Sequence, residues 1–497
     1  MNFKNPLLWT AFLLYLFVAG ISLVNHEMWA DELHSWNIAK GSQRLTDIFR
    51  NSRYEGHPPL WYIILWTISR FTHNLVAVQV VHLFIAAVPV FLLLFFSRIP
   101  IVTRLLIPFG YYLLFEYSVL SRNYAIAILL ASLICMLMRR NVELKNAWYY
   151  LLLFLLTNTH LLGALLAGSL HVYFLFLQWR CRRSLGVVTG HMLIGLLVAL
   201  PAICLMMPPE GSMLGARRQT VETFIIRVKT LMQAPLLSML PIPAWWQYNW
   251  WNTQFLLEAN SSRLVRVLIP VFSIALLALP ALVLKKDKKS IALFYVNLIL
   301  SAAIALTVLT LAAARYTGFI YMAFIFALWL YYEECALEGW RKIIVNVLLL
   351  SHVVAGASAV VKDIRFPFSN SYRVKDLLVQ VPKDKQLVCD YWAVNTYSAY
   401  LDIPVYCIDV QKEMNMILFD NDLREKLSDG SRYTLGLQKL QQTAPFTDLF
   451  MLSTHPPGTL AQIDSVLNRQ YEIILVDKRD GAIEKFSNLY LYQIRVR

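Results

Sequence analysis

Charge is what this sequence has least of. Asp, Glu, Lys and Arg make up 15% of its 497 residues and 58% are hydrophobic, whereas a soluble chain carries about a quarter charged residues. A water-soluble fold for the whole chain is excluded, and a bilayer is the expected solvent. Cysteine is scarce too, and its six positions are too scattered for a disulfide framework. Cys135, Cys181, Cys204 and Cys335 lie in or beside apolar segments, while Cys389 and Cys407 fall in two similar strand-like runs of a polar tail. For that last pair, a bridge and two separately buried thiols are both open readings. There is no glycine-rich phosphate loop, nucleotide fingerprint, fixed-period repeat or low-complexity tract, which removes a donor-binding Rossmann domain. The net charge is +14, but its cations are spread between apolar segments and form no continuous stripe. Nucleic acid is therefore not an expected partner; membrane lipids and phosphates are.

What is present is a series of apolar runs between Leu7 and Val361, each long enough to cross about 30 Å of hydrocarbon as a helix. The first run has no small-residue cleavage site and leads directly into Trp29-Ala30-Asp31-Glu32, so it reads as a retained span. Basic clusters at Arg98 with Arg104, Arg139-Arg140 with Lys145, Arg180 with Arg182-Arg183, Lys285-Lys286 with Lys288-Lys289, and Arg341-Lys342 mark the cytoplasmic side. The segment from Pro58 to Phe71, about 14 residues, falls short of the about 20 that a crossing needs. It is expected to be a juxtamembrane or re-entrant helix on the outer face.

The result is an α-helical polytopic membrane protein of about eleven spans, with its N-terminus in the cytoplasm. Residues 1–362 form the membrane domain, with outer loops at 25–57 and 208–263. Residues 363–497 alternate strand-like runs (Leu387 to Tyr391, Pro404 to Asp409, Asp448 to Leu452, Glu472 to Val476) with a helical stretch from Gly458 to Leu467. They read as a small extracytoplasmic α/β domain.

The loop after the first span is the densest in chemistry. Asp31 and Glu32 are adjacent, and mutual repulsion beside a lipid surface tends to raise one pKa, which suits a carboxylate to take a proton from a hydroxyl. The competing reading makes Asp31 the cap of a helix from Glu32 to Ala39, with Glu32 in its first turn. His26, Glu27, Asp31, Glu32, His34 and His57 supply enough N and O atoms for a divalent ion, but their spacing matches no standard site and defines no ligand set. His57 precedes Pro58-Pro59-Leu60-Trp61-Tyr62; it suits a phosphate or sugar hydroxyl, or is a helix-start residue satisfied by local backbone. Arg122 and Arg315 lie between spans, where an arginine needs a partner. Each fits bidentate binding of a phosphate leaving group, or structural pairing with Glu116 and Glu32. Asn158 and His160 read as a polar turn.

The acid pair, His57-Pro58-Pro59-Leu60-Trp61-Tyr62, Arg122-Asn123-Tyr124-Ala125 and Arg315-Tyr316 together resemble the membrane glycosyltransferases of the GT-C fold. The nearest likeness is to bacterial members of the protein-mannosyltransferase-like group, which includes the aminoarabinose transferases of lipid A. The resemblance covers most of residues 1–362. It implies inverting transfer of a sugar from a polyprenyl-phosphate donor to a lipid, glycan or protein hydroxyl on the outer face of the cytoplasmic membrane. It further implies Asp31 as general base, Glu32 as its partner orienting the acceptor or a metal, Arg122 and Arg315 as neutralisers of the departing phosphate, and His57 and Tyr124 as pocket residues. One departure stands out: many relatives carry an acid within two residues before the second-loop arginine, where this sequence has Leu120 and Ser121 and its nearest acid is Glu116. An envelope polysaccharide polymerase or ligase shares the span count. A lipid-linked glycan transporter would instead place ionisable residues near the midplane and show two similar halves.

Overall fold

Apolar side chains that cannot be hydrated, on a backbone that must satisfy its own hydrogen bonds in lipid, leave helices as the form open to the first 362 residues. The computed structural model describes residues 3–139, 146–181, 184–213, 220–259 and 263–497; of the basic clusters, Arg140, Lys145, Arg182 and Arg183 lie outside the described residues. The chain divides into two compact units, one of Met1–Val24, Leu75–Met206 and Arg218–Lys362, the other of Asn25–Asn74, Met207–Arg217 and Asp363–Arg497.

The first unit is a helical bundle. Among the described residues seven helices are long and apolar enough to cross a membrane: Pro6–Asn25, Leu75–Phe96, Leu161–Arg180, Leu185–Met206, Lys288–Thr307, Ala314–Glu334 and Trp340–Arg365. The chain is thus a multi-pass membrane protein. Against the expected count of about eleven, other apolar segments form shorter helices, including Tyr124–Leu137 and Asn146–Thr157, or, like Val221–Met239, carry Glu222, Arg227 and Lys229. The run before Tyr124 is not one helix because Pro108 interrupts it: a six-residue helix Ile101–Leu106 is followed by a tight turn and a π-helical turn, Tyr112–Glu116.

Ala314–Glu334 is the central helix, with nearly all its residues buried. Over its 21 residues it spans about 30 Å and carries Arg315 at one end and Glu333-Glu334 at the other. Glu333 pairs with Arg98 at 3.3 Å and Arg139 at 3.5 Å, and Glu334 with Lys289 at 2.8 Å and with Arg180. Four basic clusters from separate loops therefore meet at one end of the bundle, opposite Arg315.

The second unit holds a six-stranded mixed sheet: β1 (Leu387–Cys389), β2 (Val405–Cys407), β3 (Lys412–Met414), β4 (Asp448–Ser453), β5 (Tyr471–Arg479) and β6 (Leu489–Val496), in the order β3-β2-β1-β4-β6-β5. β1 is parallel to β2 and β4, and the other pairings are antiparallel. Alternation sends Cys389, Phe450, Leu452 and Leu491 to one face with helix Tyr391–Leu401, and Val388, Leu449, Met451 and Tyr492 to the other with helix Arg432–Thr443. The tail is a three-layer α/β/α sandwich. Cys389 and Cys407 are register neighbours, both buried and both free thiols, which decides against a bridge. Asp390 and Tyr391 do not extend β1: the Asp390 carboxylate caps the next helix by accepting the Ala393 N–H at 2.9 Å.

The loop between the first two long helices packs with this tail. Helix Ala30–Gly41 lies on Tyr391–Leu401: Asn37 Nδ2 donates to the Asn395 carbonyl at 2.8 Å, and Lys40 Nζ reaches the Ser398 carbonyl and Asp402, both at 2.7 Å. The segment from Pro58 to Phe71 forms helix Leu60–Ser69, ten residues and so about 15 Å long.

Candidate active site

The two adjacent acids do different jobs because helix Ala30–Gly41 begins two residues earlier than a cap at Asp31 requires. Its N-cap is Trp29 in an extended conformation, and the carboxylate that reaches back to the Trp29 N–H, at 3.1 Å, is that of Glu32. This is the reach-back half of a capping box, so the reading of Asp31 as N-cap is corrected. Glu32 is buried, 1% exposed, and its Oε2 lies 3.3 Å from His26 Nε2, while His26 Nδ1 lies 3.1 Å from Asp363 Oδ1. Burial works against charge on this imidazole, but the carboxylates of Asp363 and Glu32 outweigh it and raise the pKa to about 10. A buried imidazolium thus clamps Glu32 to the segment that opens the tail. Next to it, Glu27 accepts the Phe368 N–H at 2.7 Å and is pushed up by burial.

Asp31 is half-buried in the first turn of the same helix, and its backbone carbonyl accepts the Ser35 hydroxyl at 3.1 Å. His57 follows Gly56, whose φ of 66° turns the chain between helices Leu45–Tyr54 and Leu60–Ser69; its N–H donates to the Ser52 carbonyl at 3.2 Å. His34 bonds with Glu55 at 2.9 Å and Asn395 at 3.4 Å. Among the described residues no group of three His, Cys, Asp or Glu side chains is placed to hold a metal ion.

The arginines belong to the first unit. Arg122 is 9% exposed in the turn between the π-helical segment and helix Tyr124–Leu137. Its backbone is fixed by His82, one ring nitrogen of which faces the Arg122 carbonyl at 3.1 Å and the other the Ser118 carbonyl at 3.3 Å. Tyr124 opens the following helix and packs edge-on to His160 at 4.9 Å; His160 in turn meets Phe319 at 4.9 Å. Tyr117 Oη donates to the Arg315 carbonyl at 2.9 Å, and its ring is 5.9 Å from Tyr124. Arg122, Tyr124 and Arg315 therefore share one neighbourhood within the bundle, and Asp31, Glu32 and His57 lie in the second unit.

His160 lies in the polar turn between helices Asn146–Thr157 and Leu161–Arg180, as read from sequence, and is in addition an aromatic neighbour of Tyr124. Glu116 accepts from Tyr111 Oη at 2.7 Å and Trp251 Nε1 at 3.2 Å. Trp251, His82 and the His26–Asp363 contact had no local signal, since each acts across a large separation in sequence.

No protein-family model and no curated protein matches the sequence. Solved structures similar to it include ArnT from Cupriavidus metallidurans in the apo state, at a TM-score of 0.44 and 14% identity, and the same protein bound to undecaprenyl phosphate, at 0.44 and 13%. Each match covers 97% of this chain and 97% of the other.

Proposed function

We propose that this protein is a GT-C-type glycosyltransferase that moves a sugar from a polyprenyl-phosphate donor to an acceptor hydroxyl, with inversion, on the outer face of the cytoplasmic membrane. The observation that carries the reading is the division of labour between the adjacent acids. Glu32 reaches back to the Trp29 N–H and meets His26, and Asp31 stands half-buried in the first turn of the same helix, which packs on the tail. In the proposed step the acceptor O–H gives its proton to the Asp31 carboxylate and its oxygen bonds to the anomeric carbon. The bond from that carbon to the phosphate oxygen breaks, and its electron pair leaves with the polyprenyl phosphate. Arg122 and Arg315 neutralise the departing phosphate, for which a planar guanidinium is suited; Tyr124 and His57 are each assigned to substrate binding. A lipid-carried donor also accords with a sequence that carries no nucleotide-binding fingerprint.

The test compares envelope glycans by mass spectrometry in a strain lacking the protein, complemented with the native chain or with Asp31→Asn. The amide keeps the size of the side chain but cannot take the proton. Loss of one sugar from one glycan, restored by the native chain alone, is the expected outcome. Restoration by both chains would remove Asp31 from the chemistry, and an unchanged glycan profile in the deletion strain would remove the reading itself.

A further inference from the structure

A phosphate-neutralising arginine works only if its guanidinium is held in place, because Arg otherwise loses about 2 kcal/mol of rotamer freedom on binding. The Arg315 guanidinium carbon lies over two aromatic rings, 5.0 Å from the centre of its neighbour Tyr316 and 5.6 Å from that of Trp251. Trp251 comes from the aromatic loop before helix Arg263–Val283 and is itself anchored. Its indole N–H donates to Glu116 Oε2 at 3.2 Å, and the same oxygen accepts the Tyr111 hydroxyl at 2.7 Å. Glu116 is 1% exposed and ends the π-helical turn, a local distortion often found at functional sites. The residue after Trp251 ties the loop to the arginine's own helix: Asn252, in the left-handed region at φ 60°, accepts the Ala314 N–H at 2.8 Å. The indole plane is thus fixed at its N–H edge by a buried carboxylate and through its neighbour to the first residue of helix Ala314–Glu334, with Arg315 between the two anchors.

We propose that Trp251, oriented by Glu116, is a positioning residue that sets the guanidinium of Arg315 for a lipid phosphate. The inference rests on the phosphate role given to Arg315 above. A ring under a guanidinium engages its face and leaves its donors in the guanidinium plane, the geometry in which a phosphate accepts two parallel hydrogen bonds.

The test measures binding of undecaprenyl phosphate to the full-length protein in nanodiscs as a double-mutant cycle, with thermal stability recorded for each variant. Arg315→Ala is expected to weaken binding by tenfold or more. Trp251→Leu, which removes the platform, is expected to weaken it about fivefold to tenfold, within the range of a desolvated cation–π contact. Trp251→Phe keeps a ring but loses the N–H anchor and is expected to cost about threefold. In the Arg315→Ala background both Trp251 changes are expected to have no further effect. Should Trp251→Leu fail to fold, Trp251→Phe completes the cycle by itself. Equal losses from the Trp251 changes with and without Arg315, or no loss at all, would overturn the positioning role. If Arg315→Ala binds as the native chain does, the phosphate role of Arg315 fails first, and the positioning role falls with it.

Discussion

Replacing His26 with phenylalanine tests the ion cluster that holds the acid loop to the tail. The ring volume is kept, and the cation between Glu32 and Asp363 is lost. All three side chains are without solvent exposure, so two buried carboxylates lose the cation between them, a change that costs about 3–5 kcal/mol in comparable clusters. The proton affinity of His26 leads to the same scale. Its pKa rises from 6.5 to about 10, which at about 1.4 kcal/mol per decade corresponds to roughly 5 kcal/mol. A group whose folded-state pKa is raised contributes fully below its unfolded value and loses that contribution as pH climbs through the folded one. Most of that contribution therefore remains at pH 7 and only a minor part of it at pH 9.

The assay is thermal unfolding of the full-length protein in nanodiscs at pH 7, 8 and 9. The native protein is expected to lose stability across that range, and His26→Phe to melt lower at pH 7, by about 10 °C at roughly 2–4 °C per kcal/mol. Adding Glu32→Gln and Asp363→Asn to His26→Phe should recover much of the loss, because replacing a whole buried ion set is far cheaper than breaking it. A single variant that melts with the native protein, with the same dependence on pH, would refute the clamp.

Three further outcomes are expected. Arg122→Ala should lower turnover about a hundredfold or more, by analogy with a removed oxyanion donor, in a transfer assay with a polyprenyl-phosphate sugar. Gly436→Ala should destabilise the tail by about 1–3 kcal/mol or more in chemical unfolding, because its new Cβ would fall 1.9 Å from the Ile408 carbonyl oxygen, a backbone atom that cannot swing away. Asp409, pushed up to about 7 by burial and then by the charge of Asp390, should make the second unit lose stability as pH rises from the ordinary carboxylate range through 7; Asp409→Asn, whose amide oxygen can still accept the Cys407 thiol, should flatten that profile in unfolding measured from pH 5 to 8.

The sequence disclosed most where one local property decides the outcome. Hydropathy alone marks Leu75–Phe96 and Trp340–Arg365 as crossings, and alternation with β-formers marks β1, β2, β4 and β5. It disclosed less where two local rules compete. Asp390 follows a strand-like run and was read with it, yet its carboxylate starts the next helix; Asp31 and Glu32 are both acids of a first turn, and which one caps depends on where the chain leaves Trp29. β3 escaped notice because Lys412-Glu413-Met414 is polar and borrows its order from pairing with β2. Nothing local could reveal His26 with Asp363, 337 positions apart, or Trp251 with Glu116, 135 apart. Those partners are chosen by packing, and they fix the groups to which chemistry is assigned.

The central helix shows how one element can serve two electrostatic tasks. At its Glu333-Glu334 end carboxylates meet four cations: Arg98 and Arg139 pair with Glu333, and Lys289 and Arg180 with Glu334. Glu333 and Lys289 are buried, so their ion pairs are screened less than those of the exposed Arg180. At the other end Arg315 lies over the rings of Trp251 and Tyr316. An aromatic face attracts a cation without neutralising it, since a ring carries a quadrupole and no net charge. A carboxylate in the place of Trp251 would add a negative charge beside the guanidinium and offset part of the positive charge that a departing phosphate requires. Trp251→Glu is therefore expected to bind undecaprenyl phosphate less well than Trp251→Leu. Tighter binding by the glutamate variant would show that Arg315 is held for the bundle's sake and that its charge has no ligand to meet.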